Sequence, residues 1–304
     1  MFACVQLIPA AAPRLLERRK PQQPVLVRIN APGGAPFFRM EVPTHKGRQA
    51  EPPWAAMEQA AGRLRTRLLF PEGVIPPPPP QARSAAQAQL EPGLRIFQPK
   101  RLPLLLCLRA AQQVLLAAQT PARQLRVTVV DTKGVLCHAI ELLVPLAGSL
   151  RVYTPDFSVY RSAAARVLHR HGATLILSDS AACFAQSHVI IAEDLRLFTG
   201  REQGLIFTPD TTTNLAGCRV VRCHTPQLPE AYAKLCPPGI DPLQFACALF
   251  ELCGVKELER LPFGHYAFDG VSGRYSSQDL ARMLDECEAT AACPYFNHKC
   301  TINK

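Results

Sequence analysis

Five apolar runs of this chain each end in small polar or acidic residues: Asp131-Thr132-Lys133-Gly134, Thr154-Pro155-Asp156, Ser178-Asp179-Ser180, Glu193-Asp194 and Thr208-Pro209-Asp210. If the runs are neighbouring strands, these tips converge on one rim. A lysine beside a helix N-terminus, such as Lys133, then suits an anion, because its charge and the helix dipole act together. Lys133, Gly134, Thr154, Asp179 and the local backbone amides would hold a nucleotide or phosphorylated metabolite, with Asp131, Thr132, Asp156 and Ser178 completing the rim. The plainer alternative is that Asp, Ser and Thr at these places cap the helices that follow.

Other chemistry leaves fainter traces. Cys287, Cys293, His298 and Cys300 form C-x5-C-x4-H-x-C. These ligands suit zinc or iron, but the spacing lacks a C-x2-C knuckle, which favours plain reduced thiols. Cys218, Cys223 and His224 make a second loose group. His138, His169, His171 and His188 are scattered, and no G-x-S-x-G, Walker loop or H-E-x-x-H occurs, so no catalytic residue is identified.

The elements that must position the rim are legible. Residues 125–131, 150–154, 174–179 and 188–194 are short β-branched runs with few polar residues, as expected for strands covered on both faces by helices. Helical patterns at 135–147, closed by Gly148, and at 158–171, capped by Ser158 and closed by Gly172, lie between them. An alternating series of this kind implies right-handed crossovers and a parallel sheet. Residues 205–208 and 219–223 continue as strands, 242–252 as an apolar helix, and 276–288 as a polar helix capped by Ser277. A further helix is predicted over 102–119, with Pro103 in its first turn.

Upstream, 2–8 reads as a strand, 25–30 and 37–42 as a wide-turned hairpin, 54–69 as a helix bearing Arg63, Arg65 and Arg67, and 94–97 as a short strand. Five consecutive prolines at 76–80 predict a polyproline II spacer and place a domain boundary near residue 90. Residues 1–124 hold 17 Lys/Arg against 6 Asp/Glu, so the net charge of +10 belongs to this part of the chain. Such a lobe could meet nucleic acid or an acidic partner, although its cationic runs are short and a coding bias toward Arg, Ala and Pro explains it equally well. No signal peptide or membrane span is evident. The expectation is therefore a bacterial-type soluble, cytoplasmic protein with its 12 cysteines reduced.

The series at 94–225 resembles the Rossmann-like, NAD(P)-binding class of doubly wound domains. That resemblance implies NAD(P) or another nucleotide at the strand ends. In that class G-x-G-x-x-G follows the first strand, and an acid ends the second. Here the loop is D-T-K-G-V-L, with Gly134 its one glycine, and Thr154 ends the second strand with Asp156 two residues on. The same loop, Val130 to Leu136, is similar to the first motif of haloacid-dehalogenase-type phosphatases. By that likeness Asp131 is the nucleophile, Thr154 the strand-end hydroxyl and Asp179 a metal-binding acid, while Lys133 replaces the family's second aspartate.

The sequence thus predicts an α/β chain with a small basic α+β segment at 1–90. From 91 to 304 it predicts a Rossmann-like, doubly wound, mostly parallel sheet. Three functions remain open: a binding protein or degenerate enzyme for a phosphorylated ligand, an oxidoreductase or transferase of atypical fingerprint, and an interaction protein using its basic lobe.

Overall fold

A computed structural model describes residues 1–9, 23–44, 53–74, 95–184, 186–200, 202–223, 227–261, 265–268 and 271–291. The described helices are α1 (Trp54–Leu64), α2 (Leu102–Ala117), α3 (Ser158–His171), α4 (Glu230–Ala233), α5 (Pro242–Cys253) and α6 (Ser277–Ala291). The chain divides into two compact units, Met1–Pro99 with Leu228–Glu259, and Lys100–Gln227 with Arg260–Lys304.

In the first unit, β1 (Phe2–Pro9) lies between β3 (Phe37–Thr44) and β4 (Arg67–Leu69), parallel to both, and β2 (Val25–Ile29) pairs antiparallel with β3. The alternation of strand side chains decides what covers each face. Ala3, Val5, Met40 and Val42 pack against Met57 and Ala61 of α1. On the other face Phe2 and Phe37 stack with ring centroids 4.9 Å apart, and Phe245 of α5 meets both edge-on. The expected helix at 54–69 is shorter. Arg65 turns left-handed (φ 50°), and Leu68 and Leu69 are buried in β4, where Ala3 faces Leu68. Arg65 and Arg67 therefore lie off the helix. Of the strand expected at 94–97, Ile96 forms a single bridge to Leu68. Residues 76–80 lie outside the described residues.

The second unit carries a sheet of eight strands: β5 (Arg126–Val130), β6 (Ser149–Tyr153), β7 (Leu175–Ser178), β8 (Val189–Ala192), β9 (Leu205–Thr208), β10 (Arg219–Cys223), β11 (Tyr266–Phe268) and β12 (Val271–Tyr275). Their order is β12-β11-β10-β9-β8-β5-β6-β7; β5 to β10 are mutually parallel, and β11 and β12 add antiparallel strands at one edge. The fold is α/β with a mostly parallel, Rossmann-like sheet, as the alternating series implied.

Two local expectations are corrected. The segment after β5 is a run of turns at 135–139 followed by a 3-10 helix, Ile140–Leu146, with Pro145 inside it. Proline removes a donor and crowds the preceding turn, which disfavours an α-helix there. Gly148 is held by close approach to the Arg123 carbonyl, where a Cβ would lie 2.1 Å from the oxygen, instead of by a left-handed cap. The sheet is also covered unequally. Val127, Val129, Val189 and Ile191 pack under α2, α3, α6 and the 3-10 helix Ile140–Leu146, whereas Val130, Ile190, Ala192 and Ile206 meet Phe184 from a short 3-10 helix and Leu195 and Phe198 from the loop after β8. On that face a short 3-10 helix, Ala181–Phe184, and loop residues do what α-helices were expected to do.

Candidate functional site

Numbered along the chain from β5, the parallel strands run 3-2-1-4-5-6 across the sheet, so strand order reverses between β5 and β8. Chain leaving β5 goes toward β6 and chain leaving β8 goes toward β9, so the loops diverge and open a crevice beyond the strand ends.

Asp131 anchors the loop on one side of this crevice. Its side chain is fully buried, and both oxygens are engaged. The Lys133 amide donates to Oδ1 (3.1 Å), while the Leu136 amide (2.7 Å) and the Tyr160 hydroxyl (2.6 Å) donate to Oδ2. Burial pushes the Tyr160 phenol far up, and the Asp131 charge adds to this, so tyrosine remains the donor. Gly134 has φ 71°, and a Cβ there would lie 2.0 Å from Val159 Cγ1 of α3. This glycine therefore serves the packing of the loop against α3. Lys133 reaches out of the same loop and forms an ion pair with Glu193, which follows β8 across the crevice.

The other rim residues are placed as follows. Thr154 is buried, donates its amide to the Ser178 carbonyl (2.9 Å) and its hydroxyl to the Asp156 carbonyl (3.3 Å). Asp156 Oδ1 accepts from the Ser158 amide (2.9 Å), and these Ser158 bonds hold its carboxyl below the usual range. Asp156, not Ser158, thus supplies the side chain that caps α3. Ser178 Oγ accepts from the Ser180 amide (3.1 Å), and Thr132 is half-buried while Asp179 is exposed. Beyond β8, Asp194 is held low by its pairing with Arg196. Beyond β9, burial raises Asp210 but donors from Thr212 and Thr213 outweigh it and leave the carboxylate well below its ordinary range. The structure joins Asp131, Lys133 and Glu193 across the reversal, and groups Thr154, Asp156, Ser178 and Asp179 around the ends of β6 and β7. Sequence reasoning missed Tyr160, which sits with Ala163 and Val167 on the buried face of α3 and reads there as core.

This arrangement bears on three chemistries. A dinucleotide pyrophosphate needs free loop amides, yet two are taken by Asp131 and no α-helix follows to supply a dipole. The loop does not fit that group. The nucleophile role implied by the phosphatase likeness needs an exposed carboxylate oxygen, and Asp131 offers none. No group of three or more His, Cys, Asp or Glu able to hold a metal occurs among the described residues. Cys293, His298 and Cys300 lie outside them, as does the Cys287 side chain. A cavity of about 410 Å³ in the first unit, floored by Leu68 and Phe97, borders Asp241, whose carboxylate is committed to capping α5 through the Leu243 and Gln244 amides.

No family model matches the chain, and no curated protein matches it. Among solved structures, L-tryptophan dehydrogenase from Nostoc punctiforme aligns with 86% of this chain and 79% of its own, at 14% identity and a TM-score of 0.30. Quinate dehydrogenase from Corynebacterium glutamicum, in complex with NAD, aligns with 83% of this chain and 89% of its own, at 15% identity and a TM-score of 0.28. These are likenesses of fold alone. The strand order itself defines the class, a Rossmann-like α/β protein.

Proposed function

We propose that the second unit binds a small phosphorylated molecule, a nucleotide or sugar phosphate, in the crevice between the ends of β5 and β8. The observation that supports this is the Lys133–Glu193 ion pair standing astride the reversal of strand order. Lys133 would carry the phosphate by its side chain, since the Lys133 and Leu136 amides are spent on Asp131. Thr132 and Gly134 shape the loop, and Thr154, Asp156, Ser178 and Asp179 flank the rest of the ligand. Because the loop does not fit a pyrophosphate, a mononucleotide suits the crevice better than NAD(P).

Calorimetry with AMP, glucose 6-phosphate and NAD, with adenosine as control, tests the reading. At least one monophosphate should bind, and Lys133→Ala should weaken it by about tenfold, the worth of one charge-assisted contact. Equal binding of AMP and adenosine, or a Lys133→Ala protein that binds as well as the original, would contradict it.

A further inference from the structure

We propose that two copies of this chain join edge to edge through β7, the two strands running antiparallel about a two-fold axis at Ile176. β7 ends the eight-stranded sheet, and among the described residues β6 is the one strand paired with it. The Thr154 amide donates to the Ser178 carbonyl, so Ser178 and Ile176 turn their backbone groups toward β6. In a parallel ladder the alternate residues, Leu175 and Leu177, then direct amide and carbonyl outward. Natural edges are guarded by a lysine, a proline or a bulge. β7, Leu-Ile-Leu-Ser, holds none of these, whereas the opposite edge, β12, presents an exposed Arg274.

A second β7 fits this edge. Turned antiparallel about Ile176, Leu175 of each copy meets Leu177 of the other, and both outward residues find hydrogen-bond partners. Ile176 then lies opposite its own copy in the closely spaced, non-hydrogen-bonded pair, which buries a side chain left 42% exposed in the single chain. α3 extends the apolar surface. Its Arg166 and Arg170 reach Glu141 in the 3-10 helix Ile140–Leu146, which leads from β5 to β6. Helical spacing puts Phe157, Arg161 and Leu168 on the other flank, beyond β7, where Phe157 is 43% and Leu168 59% exposed. Charge selects the orientation. α3 runs back against the strands, so its last turn lies toward their amino ends and its first turn toward their carboxyl ends. The amino-end corner gathers Arg166, Arg170, His169 and His171 around Glu141, an excess of positive charge. The carboxyl-end corner holds the exposed Asp156 and Asp179 with Arg161, an excess of negative charge. Antiparallel pairing sets positive corner against negative corner twice, while parallel pairing sets like against like.

Sedimentation velocity of the intact chain tests this. The strand is short and the apolar patch small, so the dissociation constant should be on the order of 50 µM, and a concentration series from about 5 to about 500 µM spans it. Over that range the original chain should pass from monomer to dimer. Ile176→Glu and Ile176→Lys should each weaken the dimer by at least about tenfold, because like charges then stand directly opposite. Both should keep the original unfolding midpoint, since the position is exposed. An equimolar mixture of the two variants should regain the dimer, because residue 176 faces itself across the axis. Leu116→Glu, at an exposed apolar position of α2, should dimerise as the original does. A chain that stays monomeric throughout overturns the proposal and leaves the edge to a different partner. A dimer untouched by either substitution at 176 overturns it by placing another surface at the joint. A mixture of the two variants that stays monomeric also overturns it, because residue 176 then does not face its own copy.

Discussion

Asp131 is an anion built into the loop where doubly wound proteins bring a phosphate to backbone amides. Removing it should orphan two amides and a tyrosine hydroxyl in a buried place. Asp131→Ala should therefore lower the unfolding free energy by about 3 kcal/mol in urea titrations, against about 1 kcal/mol for Tyr160→Phe, which removes one of the three bonds. Equal, small losses would mean that the network carries little weight. Gly134→Ala should cost about 2 kcal/mol through its positive φ and its clash with Val159, and part of this should return in a Val159→Ala background. At this scale the sequence was informative about Asp131, Lys133 and Gly134 because a charged residue or a glycine visibly ends an apolar run, and the ends of parallel strands are where ligands bind. It was silent about Tyr160, since a tyrosine on the apolar face of a helix has the signature of any core residue.

Elements were legible where periodicity was strong. β5 to β10 are runs of β-branched and aliphatic residues, and α3 shows its buried face at 160, 163 and 167. The segment after Gly134 has a helical hydrophobic pattern as well, yet Pro145 and the pull of Asp131 on its first amides leave it as turns and a 3-10 helix. Pattern alone does not report that competition. The two corrected caps share one cause: side-chain acceptors one or two residues upstream take the amides. Asp156 caps α3, and Ser276 with Asp279 forms a reciprocal pair at the start of α6, where Ser277 was expected to act. The far half of α6 is tied to the end of α2 by Asp285, which accepts from the Gln119 and Thr120 amides and the Thr120 hydroxyl. Burial raises this carboxyl, but those donors outweigh it and hold it below its ordinary value. A depressed folded pKa gives stability that is present above the unfolded value near 3.9 and is lost as pH falls through the folded one. Asp285→Asn should thus cost about 1–2 kcal/mol at pH 7, and the gap to the original protein should close on acidification below about pH 4. A gap constant with pH would show that the tie does not depend on charge.

Across the whole molecule, the alternating series announced a parallel sheet but not its strand order; the observed order 3-2-1-4-5-6 places the reversal between β5 and β8. What the sequence withheld was long-range. Nothing in the pattern of residues 242–253 says that α5 belongs with the first unit, where Phe245 meets Phe2 and Phe37; an apolar helix looks the same whichever sheet it covers. Nor does any run of residues announce that Phe184, from a short 3-10 helix, and Phe198, from a loop, cover a sheet face. Among the described residues no helix is long and apolar enough to cross a membrane. The account's central claim is one of place, that a phosphorylated ligand sits between the tips of β5 and β8. Hydrogen-exchange mapping with saturating AMP tests it most directly. Protection should appear at residues 131–136 and 193–196 and should vanish in Lys133→Ala. Protection concentrated in the first unit, with those two loops unchanged, would contradict it.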